Sequence, residues 1–235
     1  MLHIRKQEPL SRHTSFGIGG PADMFVEVAG PLEIAESIEL ALREKVPYFV
    51  IGGGTNILFA DAGYRGLVIK IADGGIAVRG PVIEAGAGIS LKRITETARD
   101  QSLAGMANLA GIPGSLGGAV RGNAGAFGTE IGGLVRSVKV FNKDTGMVRE
   151  LSTEACGFAY RESLFKKQVE LIILSAEILL TPGDKGIISS EMERIIALRE
   201  SKHAQSAKCA GSFDTNPVVK EEKLREEVTW DTGAP

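Results

Sequence analysis

A chain of 235 residues with 43% hydrophobic and 24% charged residues has an ordinary globular composition, long enough for one large domain or two small ones. Its formal net charge of −2 and pI near 6.0 remove the electrostatic case for nucleic-acid binding, which needs clustered positive charge. No apolar run approaches the ~20 residues that span a bilayer and no signal-peptide apolar stretch follows Met1, so no membrane partner and a cytoplasmic location are expected.

In chain order, apolar residues Leu32, Ile34, Ala35, Ile38 and Leu42 with acids between them predict an amphipathic helix over Leu32 to Arg43, entered through Gly30-Pro31. Tyr48 to Ile51 predicts a short buried strand, and Leu67 to Ile71 a second. Ile76 to Arg79 and Val82 to Ala85 predict a hairpin turned at Gly80-Pro81. Ser90 is a natural N-cap for a helix running to Gln101. Val135 to Asn142 and Met147 to Leu151 alternate like paired strands, and Leu171 to Leu174 continues the sheet. Pro182-Gly183-Asp184 breaks the pattern before a helix over Ile187 to Lys202, where a domain boundary is expected.

Two glycine-rich segments stand out: Gly52-Gly53-Gly54-Thr55-Asn56 directly after a strand, and Ala110 to Ala119 continuing to Gly128. Without a Cβ, consecutive glycines reach positive φ and turn several backbone N–H groups toward one point, a nest for an anion such as a dinucleotide pyrophosphate. A tight turn is the plainer reading of the first segment alone. The length of the second favours a ligand-binding role. Neither fits a P-loop, and no G-x-G-x-x-G joins a strand to a helix; Gly86-Ala87-Gly88 comes nearest and is read as a strand-to-helix turn. Cys156 and Cys209 lack C-x-x-C spacing, and His3, His13 and His203 form no ligand pattern, so no metal is assigned.

Together, Ser15 to Ala22, Gly52 to Leu58, Leu109 to Gly128 and Tyr160-Arg161-Glu162-Ser163 resemble the UDP-N-acetylenolpyruvoylglucosamine reductase family, from about residue 11 to about residue 217. The resemblance implies an α+β chain with the two-subdomain FAD-binding fold of the vanillyl-alcohol-oxidase type. Subdomains are expected over 1–72 and 73–185, followed by the start of a substrate-binding domain over 186–235. It further implies non-covalent FAD, NADPH as reductant, a UDP-sugar enolpyruvyl substrate of peptidoglycan synthesis, and a monomer.

By the same resemblance, Arg161 faces the substrate carboxylate and Ser212 gives a proton. Tyr160, Lys202 and Asn216 bind the substrate nucleotide. FAD contacts are expected from Gly52, Gly53, Gly54, Thr55 and Asn56 on one side and Gly111, Ser115, Gly117, Gly118, Asn123 and Gly125 on the other. The chain departs from the family pattern at Asp214-Thr215, where an apolar residue and a cation are usual. It also lacks the family's C-terminal glutamate, so an incomplete substrate module is expected. A flavin-binding protein without turnover is therefore the alternative, and an oxidase of the wider flavin fold a more distant one.

Overall fold

The computed structural model describes residues 2–72, 74–202 and 208–211. Its first unit is a four-stranded sheet in the order β1-β2-β4-β3. β1 (Arg5–Pro9) runs antiparallel to β2 (Pro21–Val28), whereas β3 (Tyr48–Ile51) and β4 (Tyr64–Ile71) run parallel to their neighbours. The crossover from β2 to β3 is α1 (Pro31–Arg43), with Pro31 at its first turn, where a missing N–H costs nothing. β4 explains why this sheet is buried on both faces. Leu67, Ile69 and Ile71 enter the main core, while Val68 points the other way, into a smaller cluster with Leu10, Phe25, Ile51 and Phe59.

The second unit is a five-stranded antiparallel sheet in the order β11-β10-β12-β6-β5. β5 (Ile76–Arg79) and β6 (Val82–Gly86) form the hairpin, followed by α2 (Leu91–Asp100), whose N-cap Ser90 accepts from the Arg93 amide at 3.2 Å. The chain continues through β7 (Leu103–Ala104), α3 (Leu116–Gly122), and the ribbon of β8 (Gly125–Ala126) and β9 (Thr129–Glu130). β10 (Val135–Asn142) and β11 (Met147–Ser152) pair, and α4 (Leu164–Lys167) leads to the central strand β12 (Leu171–Leu179). β13 (Thr181–Pro182) pairs with β7, and α5 (Lys185–Lys202) lays Ile188, Met192 and Ile195 on Ala107 and Ala110.

Three features differ from expectation. β1 and β2 have no clear apolar alternation. Acids and bases sit on them and pair across strands instead, Glu27 with Arg5 and Lys70, each at 3.2 Å. In α1 the buried face is Ile34, Ser37, Ile38 and Ala41, and the predicted core residues Leu32 and Leu42 are exposed. β12 runs to Leu179, past the predicted Leu174, because Ser175 to Leu179 pair with β6.

One core runs beneath both sheets: Leu67 and Ile69 of the first share it with Ile83, Val138 and Ile178 of the second. Truncating Leu67, which is fully buried, leaves a cavity walled from both sides. Leu67→Ala is expected to lower unfolding free energy by about 2–5 kcal/mol, read from the urea midpoint.

Candidate cofactor and substrate site

The two glycine segments meet face to face. The first leaves the end of β3 and the second opens α3, and each relies on missing Cβ atoms to approach the other. A Cβ on Gly52 would stand 2.3 Å from Ser115 Oγ and 3.9 Å from the Gly118 nitrogen. One on Gly53 would lie 3.0 Å from the Ser115 nitrogen, and one on Gly114 2.7 Å from Thr55 Oγ1. Ser115 sits at the N-cap of α3 but does not cap it; its hydroxyl accepts from the Gly53 amide at 3.2 Å. Thr55 Oγ1 donates to the Pro113 carbonyl at 3.4 Å.

The second segment is also stitched to the Gly86-Ala87-Gly88 turn. Gly117 and Leu116 donate to the carbonyls of Ala87 and Ile89, both at 2.8 Å, and Leu91 donates back to Gly114 at 3.0 Å. Gly111 and Gly114 hold positive φ, +75° and +117°, which fixes the bend that brings Ser115 across. Among the described residues, the amides of Gly54, Thr55, Asn56 and Gly118 take no protein acceptor. Backbone donors in a seam that a side chain would fill suit the pyrophosphate of FAD.

A buried pair supports the first loop from behind. A Cβ on Gly54, at φ +64°, would lie 1.9 Å from the carbonyl oxygen of His13. The His13 ring stacks on Phe25 at 4.1 Å, and its Nε2 meets Glu8 Oε1 at 2.9 Å. That hydrogen bond, with the charges of Arg5 and Arg12, holds the Glu8 carboxyl below the usual carboxylate range against the opposing effect of burial.

On the other side, Asn123 is only 1% exposed and takes a left-handed conformation at φ 44°. Its Nδ2 donates to Glu130 at 2.7 Å and to the Ala159 carbonyl at 2.8 Å, and its Oδ1 accepts from Gly132 at 2.9 Å. All its polar atoms are thus engaged within the protein. It ties the end of α3 to the turn bearing Tyr160 and Arg161. Gly125 has no room for a Cβ beside the Thr129 carbonyl at 2.7 Å, and its own carbonyl accepts from Arg161 Nη2 at 2.9 Å. Arg161 has φ +56°, a conformation costing an L-residue about 1 kcal/mol. Exposed Tyr160 lies beneath its guanidinium, 5.5 Å from ring centroid to Cζ.

Ser212 and Asn216 lie outside the described residues, as does the side chain of Lys202, whose backbone ends α5. The segment just before Ser212 is placed on the first loop. Ser15 Oγ donates to the Cys209 carbonyl at 2.7 Å, Ala210 is buried, and a Cβ on Gly211 would lie 3.6 Å from the Thr55 carbonyl. Ser15 was legible only as part of a motif, because its role depends on a partner 194 residues away. Ser163 was equally opaque; its buried hydroxyl donates to the Arg121 carbonyl at 2.6 Å.

Cys156 is fully buried, and burial raises its thiol pKa to about 11, so it stays protonated at neutral pH. Among the described residues no cluster of His, Cys, Asp or Glu is arranged for a metal, and no helix is long and apolar enough to cross a membrane.

Two outcomes follow from this geometry. Gly53→Val sets methyl groups against the Gly114 and Ser115 backbone, so the purified variant is expected to keep its far-ultraviolet circular dichroism and carry no flavin; retained flavin overturns the loop assignment. Because its folded-state pKa is depressed, Glu8 contributes stability above the ordinary carboxylate range that is lost as pH falls through the folded value. Glu8→Gln is expected to lower the melting temperature at pH 7 and to flatten the loss of stability in acid, measured by thermal unfolding across the acid range.

Residues 22–152 match the FAD binding domain family. A UDP-N-acetylenolpyruvoylglucosamine reductase of Solibacter usitatus is 40% identical over 220 residues, covering 94% of this chain and 70% of the relative. One from Streptococcus pneumoniae is 39% identical, covering 92% and 72%. The crystal structure of the corresponding reductase from Thermus caldophilus superposes with a TM-score of 0.80 at 27% identity, covering 97% of this chain and 81% of that one. A solvent-stable cholesterol oxidase, at 17% identity and TM-score 0.57 over 77% of this chain and 38% of its own, shares the fold alone. The mixed sheets and helices are those of the two-part FAD-binding fold, and the chain belongs to the UDP-N-acetylenolpyruvoylglucosamine reductase family.

Proposed function

We propose that the chain binds FAD non-covalently in the seam between its glycine segments and uses NADPH to reduce the enolpyruvyl ether of UDP-N-acetylglucosamine to the lactyl ether, in peptidoglycan synthesis. The observation that carries this reading is the convergence of two backbone-lined loops beside the Arg161 turn, in a chain whose relatives are named for that reductase activity. When bound, FAD supplies storage for a hydride between NADPH and the enolpyruvyl carbon.

The FAD contacts are Gly52 to Asn56, Gly111, Ser115, Gly117, Gly118 and Gly125, with Asn123 holding the wall from behind. Arg161 pairs with the substrate carboxylate and stabilises the negative charge that builds beside it. Ser212 delivers the proton to the neighbouring carbon. Tyr160, Lys202 and Asn216 hold the nucleotide, and residues 186–235 begin the substrate-binding domain. Non-covalent attachment agrees with the burial of Cys156. The reading takes the chain to be a cytoplasmic monomer, since both nucleotides are cytoplasmic metabolites and one chain carries every residue named.

The test is the visible spectrum of the purified chain under anaerobic conditions, first with NADPH and then with the enolpyruvyl nucleotide. A flavin band that bleaches and returns is expected. A band that bleaches and stays bleached means a flavin module without turnover, and one that NADPH leaves unchanged favours an oxidase of another substrate. Arg161→Ala is expected to keep the flavin and to slow the substrate-driven return by about a hundredfold or more. An unchanged rate would remove Arg161 from the reaction.

A further inference from the structure

Arg161 occupies a position that turn chemistry reserves for glycine. Ala159 and Glu162 exchange two backbone hydrogen bonds, at 3.1 and 2.9 Å, so Tyr160 and Arg161 are the central residues of a tight turn. Of these two only Arg161 has positive φ, the pattern of a type II turn, whose second central residue is ordinarily glycine or asparagine. A bulky residue persists there only when its surroundings over-determine it.

Three contacts supply that constraint. Asn123 Nδ2 fixes the Ala159 carbonyl at 2.8 Å, where the turn begins. Arg161 Nη2 reaches the Gly125 carbonyl at 2.9 Å, which directs the guanidinium. The third is Lys166, whose Nζ donates to the carbonyl of Arg161 itself. Lys166 holds the carbonyl of the peptide plane that follows Arg161, and the Glu162 amide, bonded to the Ala159 carbonyl at 2.9 Å, holds the other end of the same plane, so Arg161 is fixed on its C-terminal side by both. Lys166 is well mounted for this. It lies on α4, whose Phe165 is only 2% exposed, and Glu162 Oε1 stands 3.7 Å from the ammonium on its other side. The Ser163 hydroxyl on the Arg121 carbonyl anchors the intervening chain at 2.6 Å.

We infer that Lys166 is a positioning residue for the reduction of the substrate, locking the Arg161 peptide so that the guanidinium is held for the developing negative charge. This rests on the role given to Arg161 above. Lys166 touches neither substrate nor cofactor in this account, and its effect passes wholly through the turn.

Lys166→Met removes the donor at similar length, Lys166→Arg restores one, and exposed Lys167→Met serves as the control. In Lys166→Met the amide of Glu162, which closes the turn on the Ala159 carbonyl, is expected to exchange hydrogen faster than in the wild type. In stopped flow, reduction by NADPH stays at the wild-type rate while substrate-driven reoxidation slows by about tenfold with little change in KM. Lys166→Arg recovers most of that loss, and Lys167→Met shows none. The inference is overturned if Lys166→Met reoxidises at the wild-type rate, or if both half-reactions slow equally together with a lower melting temperature. Should the wild type itself fail to respond to substrate, the proposed function falls instead, and amide exchange alone decides whether Lys166 holds the turn.

Discussion

The structure depends on how closely two backbones approach where the sheets meet. A Cβ on Gly52 would stand 2.3 Å from the Ser115 hydroxyl, one on Gly53 would be pressed to 3.0–3.3 Å against the Ser115 and Gly114 backbone, and one on Gly117 would lie 2.9 Å from the Ala87 Cβ. Glycine at these positions has an entropic cost in the unfolded chain. What offsets it is a core shared by both sheets. Under the proposed function, packing and FAD binding impose the same requirement on the same residues.

The seam is supported from behind on each side by a polar residue taken out of water. His13, stacked on Phe25 and bonded to Glu8, backs the first loop through its carbonyl, and Asn123 backs the second through three hydrogen bonds. Asn123 also reaches Ala159, so the end of α3 and the turn carrying Arg161 are one hydrogen-bonded body. On the opposite flank, Ser15 fastens the backbone before Ser212 to the first loop. The first glycine loop, the Arg161 turn and the backbone of Cys209 to Gly211 are thereby set by short chains of contacts rather than by independent placement.

Much of this was legible in the sequence, and the remainder was hidden for identifiable reasons. Local signals identified the β5–β6 hairpin, the Ser90 cap of α2 and the glycine segments, since each is written in a few adjacent residues. β1 and β2 were not visible because β1 is largely charged and β2 buries Ala22, Phe25, Val26 and Val28 on both faces, so neither shows the period-two alternation that marks a strand. Leu32 and Leu42 fit a helical period, yet the sheet covers only the Ile34, Ile38 and Ala41 face. Within the site, residue types and motifs pointed to Arg161 and Asn123, but nothing in their spacing showed that one would be held at positive φ or that the other would be sealed inside. Such features arise from contacts between distant segments, for which a single sequence carries no local mark.

The measurement that bears most directly on the central claim is a comparative titration of the flavin-free chain with FAD, FMN and riboflavin, followed by calorimetry. If the seam's amides hold a pyrophosphate, FAD binds far more tightly than FMN, and riboflavin binds weakest of the three. Riboflavin binding as tightly as FAD would contradict the account, because the glycine seam would then contribute nothing to holding the cofactor.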